Sequence, residues 1–420
     1  MDTQKTDIRD EARRDEARSG EVLSDEALRD EERRDEARQD ETLCNEARQD
    51  EAHSGEVRSD EALCNEEHRD EARKQLVKDA FDRRIPHWVV PGIIVAFVAV
   101  FVGSFAIGGY ALNPPELFQA LYNHFFDPDA ISASDDALRA DKALFLIRLP
   151  RIAVCLLVGA ALAVAGASYQ GMFKNPLVSP DLLGSAAGAS LGACLALLLD
   201  LDGLYVQLFA FVGGLVAVGL TVSLQGLIKY DALMGLVLGG ILVSTLFQSG
   251  TSAIKLVADS NDKLPEITYW LMGSFADVLQ RDFKIALLPM LVGFVVLLLQ
   301  SWKLNVLSFG DEEARAMGVN TKVTRLLVII AATLLTSTSV AVSGIIGWIG
   351  LVIPHLARAL VGPNYKVLLP TSMVIGAIFL LIVDDVCRVC FTPEMPIGIV
   401  TSIVGIPFFL YIFRRNQKGW

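Results

Sequence analysis

Histidine and cysteine are scarce in this chain: five and six residues of 420. Only Cys387 and Cys390 form a C-x-x-C pair, and no second pair or histidine cluster accompanies them. A structural zinc site needs four ligands, so that spacing predicts helix-packing or loop thiols first and a disulfide on an oxidising face second. Cys44 and Cys64 lie in a charged tail, and Cys155 and Cys194 in apolar helices. No Gly-Lys dipeptide occurs, which excludes a G-x-x-x-x-G-K-[ST] phosphate loop. The first 74 residues contain no apolar run, so no secretory signal peptide is expected there. No basic excess exists either, and no basic patch suggests nucleic acid.

The formal net charge of -12 sits entirely at one end. Residues 1–74 hold 14 Lys+Arg against 26 Asp+Glu, and the remainder holds 23 of each. The acidity therefore says nothing about what the rest of the chain binds. From Arg9 to Arg73 run thirteen pentads of the RDEAR type, each with Glu third. Two 20-residue units, starting at Ser19 and Ser54, match at 16 positions, as tandem duplication would leave them. A five-residue step keeps no position on one helix face. Pairs such as Asp10–Arg13 support a solvated helix by only ~0.2–0.5 kcal/mol each. Residues 1–75 thus read as a cytoplasmic helical or disordered tail without a site, with a protein-docking arm as the sharper option.

Residues 76–420 have another character. The whole chain is 52% hydrophobic with mean hydropathy +0.42. Apolar windows of near-spanning length fall at about 88–110, 149–170, 182–199, 204–228, 232–257, 283–302, 324–343, 345–361, 367–387 and 397–413. The expected fold is an all-α integral membrane protein with about ten transmembrane helices. Stretches such as GAALAVAGAS (159–168) and GSAAGASLGA (184–193) predict close backbone packing rather than ligand binding. Lys and Arg place both termini and the 303–323 loop in the cytoplasm, and five aspartates of the 127–141 loop on the other face. The connection 259–281 is too polar to span and predicts a short helix or two at the outer mouth.

Three constellations carry candidate chemistry. Ser308-x-x-Asp311 reads as an N-terminal capping box, with Asp311, Glu312 and Glu313 in the first turn and Gly318 as the C-cap. Ala314 and Met317 would form the small apolar face of that short helix. Arg148, Arg151 and Arg388 lie near the outer ends of apolar windows, where arginine either snorkels or offers a planar fork to carboxylates. Pro354, His355 and Arg358 close another window; the structural reading holds a helix end, and the functional one is a proton relay.

Several stretches together resemble one family. They are RLPRIAVCLLVGAALAVAGASYQGMFKNPLVSPDLLG (148–184), YWLMGSF (269–275), GDEEARAMGV (310–319), GIIGWIGLVIPHLARALVG (344–362) and MPIGIVTSIVGIPFFLYIFRR (395–415). In order and spacing they resemble the permease subunits of binding-protein-dependent ABC importers for iron–siderophore, haem and cobalamin, the FecCD or BtuC-like family. The pentads have no counterpart in that pattern. The resemblance implies a homodimer around a translocation path in a bacterial or archaeal cytoplasmic (inner) membrane. It implies two separate ATPase subunits that bind ATP and Mg, an extracytoplasmic substrate-binding protein, and no catalysis or cofactor in this chain. It places the ATPase-coupling helix at Gly310, Asp311, Glu312, Glu313, Ala314, Arg315, Met317 and Gly318. It gives Arg148, Arg151 and Arg388 to docking of the binding protein, with Arg388 unusually inside the Cys387–Cys390 pair. Iron–siderophore is the default substrate; haem, cobalamin and molybdate or tungstate stay open.

Two other readings compete. An ion-driven secondary transporter would use Asp384 and Asp385 as its proton or cation site. A scaffold role would rest on the tail, and deleting residues 1–74 tests it.

Overall fold

The computed structural model describes residues 88–108, 113–132, 134–226, 232–390 and 394–416. The pentad tail lies outside the described residues. Among them every regular element is helical. In chain order these are α1 (Val89–Ala106), α2 (Pro114–Phe126), α3 (Pro128–Ser132) and α4 (Asp135–Asp141). A π-helical turn (Lys142–Arg148) leads into α5 (Leu149–Phe173), and a 3-10 turn (Pro180–Leu183) into α6 (Ser185–Leu198). Then follow α7 (Gly203–Gln225), α8 (Ala232–Val257), α9 (Lys263–Leu271), α10 (Gln280–Leu299), α11 (Ser301–Phe309) and α12 (Asp311–Ala316). The chain closes with α13 (Thr321–Ser343), α14 (Ile349–Val361), α15 (Tyr365–Cys390) and α16 (Ile397–Asn416).

Each apolar window holds one helix. Seven have the length and hydropathy to cross a membrane, and three, α6, α14 and the apolar part of α16, are shorter. The shortening of α6 and α14 has a local cause. The stretch before α6 carries Pro176, Pro180 and Gly184, and the stretch before α14 carries Gly344 and Gly347. Proline and glycine break the helical ladder, and such backbone survives at membrane depth only where protein buries it. Here the two breaks meet: Gly350 lies against the Pro180 ring and the Leu162 carbonyl, beside the middle of α5.

α5 is the central post, buried along nearly its whole length. It runs antiparallel to α15, with Arg151 beside Asp384 at one end and Gly171 against Tyr365 at the other. Between them Gly159 and Gly376 touch backbone to backbone, so a Cβ on either would strike the other's carbonyl. α6 and α7 pair the same way through Gly188 and Gly213. With no hydrophobic drive between helices in lipid, such close approach supplies the packing energy. Gly159→Leu is therefore expected to cost at least ~1–3 kcal/mol through overpacking. Gly103→Leu, on α1 with open space around it, should be neutral. Thermal unfolding of the detergent-solubilised variants compares them.

The helices alternate, so the ends of the bundle are distinct. One end gathers the start of α5, the ends of α1 and α15, and α9. The expected short helix in the 259–281 connection is α9. Its Lys263 bonds Asp200 of the α6–α7 turn and lies 3.5 Å from Glu266, and the Asp200 bond raises the lysine pKa. The opposite end carries α11 and α12.

Candidate functional site

At the α5 end, two arginines and three acids interlock, with a third arginine, Arg148, beside them. Asp384 and Asp385 precede Arg388 by four and three residues on α15, which puts all three on one face. Antiparallel packing brings Arg151 to the same place. Its Nε lies 3.1 and 3.2 Å from the two Asp384 oxygens, and its Nη2 2.8 Å from Oδ1. The same guanidinium donates to Glu394 at 2.8 and 3.2 Å. Arg388 Nε sits 3.1 Å from Asp384 Oδ2, and its Nη2 donates to Ser104 Oγ at 2.7 Å and also to Asp385. Ser104 Oγ in turn donates to Asp385 at 2.7 Å, tying α1 into the network. Arg148 donates to the Phe105 carbonyl.

Of the three arginines expected at a docking surface, Arg151 and Arg388 pair with acids of this chain, and Arg148 donates to a backbone carbonyl. The Arg151 and Arg388 side chains are 8% and 5% exposed, and Asp384 is fully buried. Their charge is already matched by Asp384, Asp385 and Glu394. The same pairing removes Asp384 and Asp385 as an open cation site. The i,i+3 and i,i+4 spacing of Asp385 and Asp384 to Arg388 was visible in the sequence; the partnership with Arg151 needed the packing. Cys387 is buried beside this cluster and Cys390 exposed, both as free thiols. No metal-ligating group of three or more occurs among the described residues.

At the other end α12 forms a knob. Its C-terminus closes as expected at Gly318 (φ 79°): Gly318 N–H donates to the Arg315 carbonyl at 2.9 Å and Val319 N–H to the Ala314 carbonyl at 2.9 Å. That is a Schellman closure, satisfying carbonyls the helix leaves open. Its N-terminus differs from expectation. Ser308 does not cap it; the Ser308 hydroxyl donates to the Asn305 carbonyl at 2.6 Å, because α11 continues through Phe309. Gly310 takes the cap position at φ 142°, a conformation that strains any residue with a Cβ, and the Glu313 carboxylate folds against it. Asp311 pairs with Arg325 of α13 at 2.6 Å, fixing the knob to the bundle. Ala314 is also corrected. It is wholly buried against Val306, Leu307 and Val319, so it faces inward. The outward face consists of Glu312, Glu313, Arg315, Ala316 and Met317. Ala314→Leu should loosen α12 from α11 at a cost of ~1–3 kcal/mol. Faster amide hydrogen exchange confined to residues 306–319 would register it.

Arg358 takes the structural role, and His355 is buried beside it. Arg358 donates to the Gln170 side-chain oxygen at 3.3 Å, and Gln170 donates to the Leu351 carbonyl at 3.2 Å. The end of α14 is thereby held to the end of α5.

One feature escaped the sequence reading. α8 exposes Thr245, Gln248, Ser249 and Ser252 in a single band. The hydroxyls of Thr245, Ser249 and Ser252 donate to carbonyls four residues back at 2.8, 2.9 and 3.0 Å. That satisfies them inside an apolar helix, and a few weakly polar Ser and Thr residues average out in a hydropathy window. The Gln248 side chain, inside a membrane-length helix, is the costly group against lipid, which favours turning this face toward water or protein.

Residues 95–415 match the FecCD transport family along their whole length. The chain belongs to this family. The FecCD stretch begins inside α1 and ends in α16, so the pentads precede it. The chain is similar to the molybdate import system permease protein MolB of Haemophilus influenzae, 38% identical over 334 residues, covering 78% of this chain and 96% of the relative. It is 35% identical over 328 residues to a probable iron chelatin transport system permease protein of Helicobacter pylori, covering 77% and 98%. A solved structure, described as an inward-facing metal-chelate type ABC transporter, superposes with TM-score 0.68 at 35% identity, covering 78% of this chain and 99% of that one. This FecCD-family chain is an ABC transporter permease, a multi-pass membrane protein.

Proposed function

We propose that this permease imports a metal–chelate complex across the cytoplasmic membrane, iron–siderophore first among the candidates. What supports the import path is the polar band of α8. In a homodimer, two such bands facing each other would line a water-filled route of hydroxyls and amides without fixed charge. That lining suits a bulky complex passed on intact, since no charged cluster holds it in place. α12 at the cytoplasmic end would seat in a groove of the ATPase, which binds the ATP and Mg. A substrate-binding protein would dock at the opposite end, over the sealed arginine network rather than into it. Binding-protein docking and ATP would each favour one of two access states.

Molybdate or tungstate is the second reading, favoured by the 38% identity to the molybdate permease. The partner binding protein decides between them. Purified with its bound ligand, it should carry a ferric chelate by mass spectrometry and metal analysis; molybdenum or tungsten without iron would overturn the first reading in favour of the second.

The band itself makes a prediction. Gln248→Leu with Ser249→Val should lower uptake at least ~tenfold, equivalent to ~1.4 kcal/mol on the transport barrier. Assembly with the ATPase should be unchanged on size exclusion. Wild-type uptake by this variant would remove the band from the path.

A further inference from the structure

Helix α2 lies outside the membrane-length helices, and neither the family reading nor the charged network uses it. Its sequence, PPELFQALYNHFF, carries four exposed aromatics: Phe118, Tyr122, Phe125 and Phe126 at 72%, 53%, 66% and 76%. At about 100° per residue these fall within one third of the helix circumference. A second third holds Leu117, Ala120, Leu121 and His124. Ala120 is buried in a small cluster with Ala140 and Leu144, and Leu117, Phe105 and Phe145 pack against it. The His124 ring stacks on Phe145 at 3.5 Å, and its Nδ1 lies 2.6 Å from Asp141. The last third is polar: Glu116, Gln119 and Asn123. One helix therefore presents a protein face, an aromatic face and a polar face, each about a third of a turn apart.

The helix sits where these three environments meet. α1 has 18 residues and is ~27 Å long, close to the ~30 Å hydrocarbon core. Ala106 at its end thus lies near the boundary, and α2 begins eight residues later. The flank of α1 exposes Val95, Val98 and Val102, and the π turn below α2 exposes Leu146 and Ile147. The aromatic face is exposed, like that flank. It holds no charge, and aromatic side chains favour the headgroup level of a bilayer. A soluble partner approaching from the aqueous side would meet Glu116, Gln119 and Asn123 instead.

We infer that α2 is an interfacial helix, lying flat in the outer lipid boundary with Phe118, Tyr122, Phe125 and Phe126 inserted among the headgroups and upper acyl chains. It would set the depth at which α1 ends and α5 begins, and so the level of the Arg151 network. The inference rests on α1 spanning the bilayer and not on the identity of the substrate.

Site-specific photo-crosslinking tests it. Benzoylphenylalanine replaces Phe118, Phe125, Gln119 or, on the flank of α1, Val98, one at a time in the full chain. Each variant is reconstituted in phosphatidylethanolamine–phosphatidylglycerol vesicles, irradiated, and read by intact mass. Val98 reports that lipid adducts form and that α1 is embedded. The expected result is a lipid adduct at Phe118 and Phe125, as at Val98, and its loss at Gln119. Val98 labelling with no lipid adduct at Phe118 and Phe125 would overturn the inference. So would adducts there to a second copy of the chain or to a soluble protein. Equal lipid labelling at Gln119 would also overturn it, since the helix would then be immersed rather than lying at the boundary.

Discussion

Arg151→Ala should destabilise the membrane domain by ~3–5 kcal/mol, the usual result of stranding a buried charge. The substitution leaves Asp384 fully buried with Arg388 as its remaining cation, and it frees Glu394 from both of its bonds. The effect should fall on folding and assembly before it falls on docking. Replacing both partners, Arg151→Met with Asp384→Leu, should recover a large part of the loss, because the buried carboxylate goes with its partner, Arg388 keeps Asp385, and the partly exposed Glu394 is hydrated. A docking-only role predicts another pattern: Arg151→Ala would keep the wild-type thermal midpoint and lose only binding-protein affinity, and the double variant would rescue nothing. Thermal unfolding of the purified permease, followed alongside binding-protein affinity, separates the two.

Reversing charge on the outward face of α12 should abolish uptake while leaving the fold intact. Glu312→Lys with Met317→Asp alters two exposed side chains, neither of which holds the knob to the bundle. The anchors, the Asp311–Arg325 pair and buried Ala314, stay in place. If the ATPase reads this face, ATP hydrolysis and uptake separate, and uptake falls ~100-fold or more, about 2.7 kcal/mol. Unfolding temperature should stay at the wild-type value. Normal transport by the variant would show that α12 is an ordinary loop helix.

These two experiments mark where the sequence was legible and where it was not. The apolar windows were legible because a span must be long and apolar, and each holds one helix. The glycine-rich runs were legible as packing, as Gly159 against Gly376 illustrates. Gly318 was legible because a positive φ at a helix end favours glycine. Ser308 misled because the capping pattern is local, whereas the true start is set by where α11 stops. Ala314 misled because an alanine on a two-turn helix has no orientation until α11 packs against it. The pairing of Arg151 was hidden for a similar reason. Its charge and end position are sequence facts, but the acids that pair with it, Asp384 and Glu394, lie more than two hundred residues away. The α8 band was missed because a few weakly polar Ser and Thr residues average out among the apolar residues of its window.

The driving force of uptake separates an ATP-driven importer from an ion-driven transporter. The permease is reconstituted in sealed vesicles with its ATPase and loaded binding protein, and uptake of labelled substrate is measured with internal or external ATP and with an imposed proton gradient. Uptake should need ATP on the α12 side, need the binding protein on the Arg151 side, and not respond to the gradient. Uptake by the permease alone, driven by a proton gradient without ATP, would contradict it.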